Sequence, residues 1–264
     1  MIGAIRSEFL KFFTTRLWWG MAAGIFVAGA VFAVIFGFVF TLEGMTGTEP
    51  GMPSGDATQI ASSVYTGGLG VGYLLLLTIG VLHVGAEYRH KTITSTFLST
   101  PRRVKALLAK AIALVGISVL YGLLSLLGSV ALGAVILTVR GFEAFPSATI
   151  VRTLALGLVV LAMWALIGLG VGILIPNQVA ALLIAVGVAW IVEPLVSVAL
   201  NFWSWGAEHI APFLPTAATN AMINTVTMPG EVRLQWWGGL IVLASYALVL
   251  AGLGIWRASR EDIG

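Results

Sequence analysis

The sequence predicts an all-α membrane protein: six transmembrane helices, an N-terminal amphipathic interfacial helix, and both termini in the cytoplasm. Three observations carry that expectation. Of 264 residues, 59% are hydrophobic and 9% charged, with a mean hydropathy of +1.01, which is more apolar surface than one soluble core can bury. The apolar residues fall into six runs near the ~20 residues that a helix needs to cross a bilayer. Of the fourteen Lys and Arg, all but Arg140, Arg152 and Arg233 fall in the N-terminal segment, the central segment 87–110 and the C-terminal tail, as the positive-inside rule requires of cytoplasmic segments. A formal charge of +3 is too small to suggest a nucleic-acid partner, and basic residues beside apolar runs suit anionic lipid headgroups instead. With no cysteine, disulfides, thiolate metal sites and thiol nucleophiles are excluded.

The elements follow in order within a single domain, 1–264. Residues 1–16 place Ile2, Ile5, Phe9 and Phe12 three and four apart with Arg6, Glu8 and Lys11 between them, the pattern of a helix lying along a membrane surface. The first span, 17–42, is too long for the apolar core of a signal sequence. A Gly- and Pro-rich segment, 43–60, holds acids but no Lys or Arg and forms an external loop. The second span, 63–86, leads into a basic central loop, 87–107. Thr100 and Pro101 read as the N-cap and first residue of the helix that becomes the third span, 108–139. A short mixed-charge turn, 140–152, precedes the fourth span, 153–175. Pro176, Asn177 and Gln178 turn the chain into the fifth span, 179–200. Residues 201–236, carrying Trp203, Trp205 and Trp236, form an aromatic external segment at headgroup level before the last span, 237–256.

Within this frame the chain shows no phosphate-binding loop, no His-Glu-x-x-His zinc signature and no Gly-x-Ser-x-Gly elbow, so we expect no enzyme activity, bound cofactor or metal in this chain. Glu193, followed by Pro194, lies well inside the fifth span, ~21 Å of helix from Val179, where a carboxylate is expensive. It reads either as part of a translocation path or as a structural group near the outer interface, paired with backbone that Pro194 frees. His83 stands one helical turn before Glu87, a spacing that suits structural pairing better than a proton relay. The pairs Gly20/Gly24, Gly68/Gly72 and Gly168/Gly172 have the spacing that lets membrane helices approach closely.

The segment Glu87 to Lys110 is the one long charged stretch in the interior of the chain, with six basic residues. Glu87 and Lys91 are spaced for an i, i+4 pair, and Ile93 and Phe97 share one face of a short helix otherwise made of Thr and Ser. Arg102 and Arg103 occupy a helix first turn, where the macrodipole disfavours cations. Anionic lipid would account for the charges but not for Ile93 and Phe97 in a loop.

Glu87-x-Arg89, Thr92-Ile93, Thr100-Pro101-Arg102-Arg103 and Lys110, together with RSEFLKFFTTRLWW near the N-terminus, resemble the permease subunits of type-2 ABC exporters. Where that family often carries glycine before the threonine, this chain has Lys91. The resemblance implies that Glu87, Arg89, Thr92, Ile93, Phe97, Pro101, Arg102 and Arg103 form a coupling loop seated on an ATP-binding subunit. It further implies ATP and Mg bound by two such ATPase subunits, a second permease copy or homologous permease, and a bacterial plasma membrane location. Two readings from other classes stand beside it: an ion-coupled transporter or channel using Glu193, and a membrane anchor or sensor binding a partner through 201–236.

Overall fold

The computed structural model describes residues 1–42, 55–90, 103–223, 225, 226 and 231–260, which are helical almost throughout and contain no strand. Six helical stretches among them are long and apolar enough to cross a membrane. The chain runs through α1 (Ile2–Phe13), α2 (Leu17–Phe40), α3 (Ala57–Thr66), α4 (Leu69–Arg89), α5 (Arg103–Val139) and α6 (Thr149–Leu174). It continues through α7 (Gln178–Gly187), a π-helical turn (Val188–Val192), α8 (Glu193–Asn201), α9 (Ser204–His209), a 3-10 turn (Ala211–Phe213), α10 (Pro215–Ile223) and α11 (Trp236–Arg260).

The second span is a broken helix. It starts at Ala57, earlier than the apolar run suggests, because Asp56 and Gln59 form a capping box: Gln59 N donates to Asp56 Oδ1 at 2.7 Å and Asp56 N to Gln59 Oε1 at 3.0 Å. The break at Gly67 and Gly68 lets α2 come against it, since a Cβ on Gly68 would lie 2.5 Å from Gly29 Cα. At 37 residues α5 spans ~55 Å, well beyond the ~30 Å hydrocarbon core, so it projects out of the membrane as well as crossing it. The fifth span widens into a π turn before Pro194, which lacks an N–H and whose ring would clash with the carbonyl of Trp190 in an unbroken α-helix.

Packing follows the small residues. The α4–α6 crossing is so close that a Cβ on Gly80 would meet Ala165 O at 2.1 Å and one on Gly168 would meet Leu77 O at 2.1 Å. Of the three glycine pairs singled out by spacing, Gly68/Gly72 and Gly168/Gly172 lie at such crossings, whereas Gly20 and Gly24 face open space. The core joins Leu76, Leu77 and Val81 of α4, Ile117 and Tyr121 of α5, Leu161 and Trp164 of α6 and Leu243 of α11. Arg257 of α11 donates to Leu174 O at the end of α6, and Gln178 lies against Gly85 near the end of α4. One end of the bundle therefore gathers α1, the end of α4, the start of α5, the α6–α7 turn and the end of α11.

Candidate functional site

That end of the bundle holds a cluster of charges contributed by three elements. The faces of α1 are not purely apolar within and polar without: Glu8 is buried beside Phe12, on the side turned toward α4 and α5. Lys110 lies two turns into α5 within the apolar run Ala106 to Val115 and is only 1% exposed. Glu87 is buried in the last turn of α4.

Lys110 Nζ donates to Glu8 Oε2 at 2.7 Å and to Glu87 Oε1 at 2.6 Å. Lys11 Nζ, from a side chain nearly half exposed, donates to Glu8 Oε1 at 2.8 Å and to Glu87 Oε1 at 2.7 Å. Two carboxylates and two ammonium groups thus alternate around one knot, with charge balanced, and burying them requires that balance. Burial pushes the Glu8 carboxyl up, but the nearby His83, the Lys110 charge and the hydrogen bonds from Lys11 and Lys110 outweigh it and hold Glu8 far below the usual carboxylate range. Burial likewise lowers Lys11, and its bonds to Glu8 and Glu87 outweigh that and raise it above its ordinary value.

The structure revises one pairing expected from spacing alone and leaves a second, Glu87 with Lys91, outside the described residues. His83 turns to α1, with Nε2 3.3 Å from Glu8 Oε2 in a poorly aligned contact, rather than along its own helix to Glu87. Glu87 Oε1 is held by Lys11 and Lys110; its expected partner Lys91 lies outside the described residues. The other oxygen, Glu87 Oε2, is buried without a partner among the described residues, and Glu87 lines a cavity of about 190 Å³, space enough for solvent to hydrate it.

Of the residues assigned to the coupling loop, Glu87 is in this knot and Arg89 is exposed in the last turn of α4. Thr92, Ile93, Phe97, Pro101 and Arg102 lie outside the described residues, and Arg103 begins α5. The knot stands where the central loop leaves and rejoins the bundle: Glu87 is on its incoming arm and Lys110 on its outgoing arm, with α1 bound to both. Sequence reasoning passed over Glu8, Lys11 and Lys110 as components of one site. A lysine embedded in ALLAKAIALV was the available signal, since an ionisable group inside an apolar span needs a partner.

Glu193, at the opposite end, accepts hydrogen bonds from Thr216 N and, at 2.7 Å, from Thr216 Oγ1. Thr216 is in the first turn of α10, so Glu193 caps that helix from another element, placing a carboxylate at the positive end of its dipole. The three basic residues of this end are each engaged. Arg140 donates to Thr41 O at 3.0 Å at the end of α2, Arg152 lies 4.9 Å over the Trp236 ring, and Arg233 donates to Thr225 O at 2.7 Å and pairs with Glu231.

Compared with known families, residues 4–192 match the model of the ABC-2 family transporter proteins. The chain belongs to the ABC-2 transporter family. The match runs from α1 to the π turn, so it takes in both arms of the central loop and the whole charge knot, and stops one residue before Glu193. No individual curated protein matches the chain. As an ABC-2 permease with six membrane-crossing stretches, it is a multi-pass membrane protein of a kind that associates with ABC ATPase subunits. Among the described residues no group of His, Asp and Glu is placed to hold a metal ion.

Proposed function

We propose that this chain is the membrane-spanning subunit of an ATP-driven exporter in a bacterial plasma membrane, with both termini in the cytoplasm. It pairs with a second copy or a homologous permease, and two separate ATPase subunits bind ATP and Mg and dock on loop 87–107. The cargo is an amphiphilic small molecule, peptide or lipid. The chain itself carries out no hydrolysis.

The observation that supports this best is the charge knot. A loop that receives force from a docked partner must pass it to the spans rather than flex. Glu87 and Lys110 lock the loop's two arms to each other, and Glu8 and Lys11 lock both to α1, so α1, α4 and α5 move as one body when the loop is displaced. ATP binding then favours one of two bundle arrangements through differential affinity, and the loop carries that bias to the membrane. Ion coupling at Glu193 draws less support, because Thr216 already satisfies that carboxylate in a helix cap.

The test is to purify the tagged chain from its native host in mild detergent, identify what co-purifies, and assay ATP hydrolysis with and without Phe97→Asp. A co-purifying ATPase that Phe97→Asp sheds supports the reading. If in-membrane crosslinking finds no ATPase and Glu193→Gln abolishes transport while Phe97→Asp does not, the reading fails.

A further inference from the structure

Two cavities flank α10 at the end of the bundle away from the central loop, and Thr216 and Asn220 are in the walls of both. The larger, about 580 Å³, is lined by polar groups that include Asn201, Glu231 and Arg233. The smaller, about 300 Å³, lies between α2, the α3–α4 bend and α10. Phe36, Phe40, Leu69 and Ile223 give it an apolar wall, and among the described residues its lining contains no Lys, Arg, His, Asp or Glu.

The wall of the smaller cavity is pinned from behind. The Tyr73 ring stacks on Trp164 with centroids 4.4 Å apart, and Trp164 Nε1 donates to Thr219 Oγ1 at 2.9 Å. Ser63 Oγ accepts from Val226 N at 2.8 Å. Among the described residues, the Tyr73 hydroxyl and the Asn220 side-chain amide have no hydrogen-bond partner, and both residues line this cavity. A preformed, mainly apolar cleft with a few free polar groups, at the lower edge of the ~300–1,000 Å³ range, has the composition of a small-molecule site.

We propose that this cavity binds an uncharged amphiphile, its apolar body against Phe36, Phe40 and Leu69 and its hydroxyl or amide head hydrogen-bonded to Tyr73 and Asn220. An anionic head is disfavoured because the described wall offers it no cation, and a cationic one because Glu193, the carboxylate behind Thr216, is already satisfied in the helix cap. That the ligand is also cargo rests on the exporter reading; the binding itself does not.

The site can be plugged without disturbing the fold. Gly70 lines the cavity, and a Cβ added there meets nothing within 4 Å, so Gly70→Leu fills the space from a helical position. The chain, reconstituted alone in phosphatidylcholine nanodiscs, is irradiated with a monoglyceride carrying a diazirine in its acyl chain. Parallel samples receive the fatty acid and the alkylammonium of the same chain length. The expected result is labelling concentrated on peptides covering 36–40, 63–73 and 216–223 and displaced by excess unlabelled monoglyceride. It should fall at least tenfold in Gly70→Leu and several-fold in Asn220→Leu, with weaker labelling by both charged probes. Labelling spread along lipid-facing α7 and α11 and unchanged in Gly70→Leu would overturn the proposal, as would equal labelling by the charged probes. Site-selective labelling in a chain that associates with no ATPase would sink the exporter reading and leave the site intact. ATPase coupling without site-selective labelling would do the reverse.

Discussion

Replacing Lys110 by methionine tests whether the knot is what holds the coupling loop to the bundle. Methionine keeps the length of the side chain and removes its charge. Among the described residues Glu8 and Glu87 would then share only Lys11, leaving two buried carboxylates with one half-exposed ammonium. Removing one partner of a buried ion pair costs about 3–5 kcal/mol, and because Lys11 still bridges both acids we take the lower end, about 3 kcal/mol. At ~1.36 kcal/mol per decade that is roughly a 150-fold shift in the equilibrium holding α1 to α4 and α5. Hydrogen exchange reads it directly: amides of 2–13 should lose protection by about that factor while α6 keeps its own, because α6 contributes no charge to the knot. ATP hydrolysis by the partner should continue but lose its dependence on this subunit. A double-mutant cycle with Glu87→Gln should give a coupling of ~1 kcal/mol or more, since the two groups lie 2.6 Å apart. Unchanged protection of α1, or strictly additive effects in the cycle, would refute the reasoning.

Three further outcomes follow from the same geometry. Because Glu8 is held below the usual carboxylate range, its contribution to docking α1 is fully present above the ordinary carboxylate pKa of ~4.3 and fades as pH falls below it. Hydrogen exchange of residues 2–13 across pH 7 to 3 should show protection lost on the acid side, and a flat profile would contradict this. Glu193→Gln keeps an acceptor for Thr216 and should shift the melting temperature little, whereas Glu193→Leu leaves part-buried donors without their acceptor at a cost of about 1 kcal/mol; equal effects would show that the cap does not matter. Gly168→Val should prevent the α4–α6 crossing and stop the chain folding, while Gly24→Ala should be neutral or stabilise by up to ~1 kcal/mol, both read by thermal unfolding in detergent.

The resemblance carried by Glu87-x-Arg89, Thr100-Pro101-Arg102-Arg103 and Lys110 agrees with the family match, which covers those positions. The six membrane-crossing stretches were legible for a general reason: a bilayer imposes length and composition on a span residue by residue, so a local run suffices to see it. The start of the second span was also legible in principle, in Asp56-x-x-Gln59, because a capping box is a contact between near neighbours.

What the sequence by itself determined is therefore the all-helical membrane architecture and the segments rich in charge. Tertiary structure alone decided which charges meet. Spacing pairs His83 with Glu87, but Glu87 is bound by Lys110, 23 positions away, and Lys11, 76 positions away. Glu193 likewise caps a helix that begins beyond the end of its own span. The physical reason is the length of the interaction. Hydropathy and capping act over a few residues of one chain segment, whereas a buried carboxylate takes whichever donor the packing of separate helices brings within reach, and no local pattern encodes that choice.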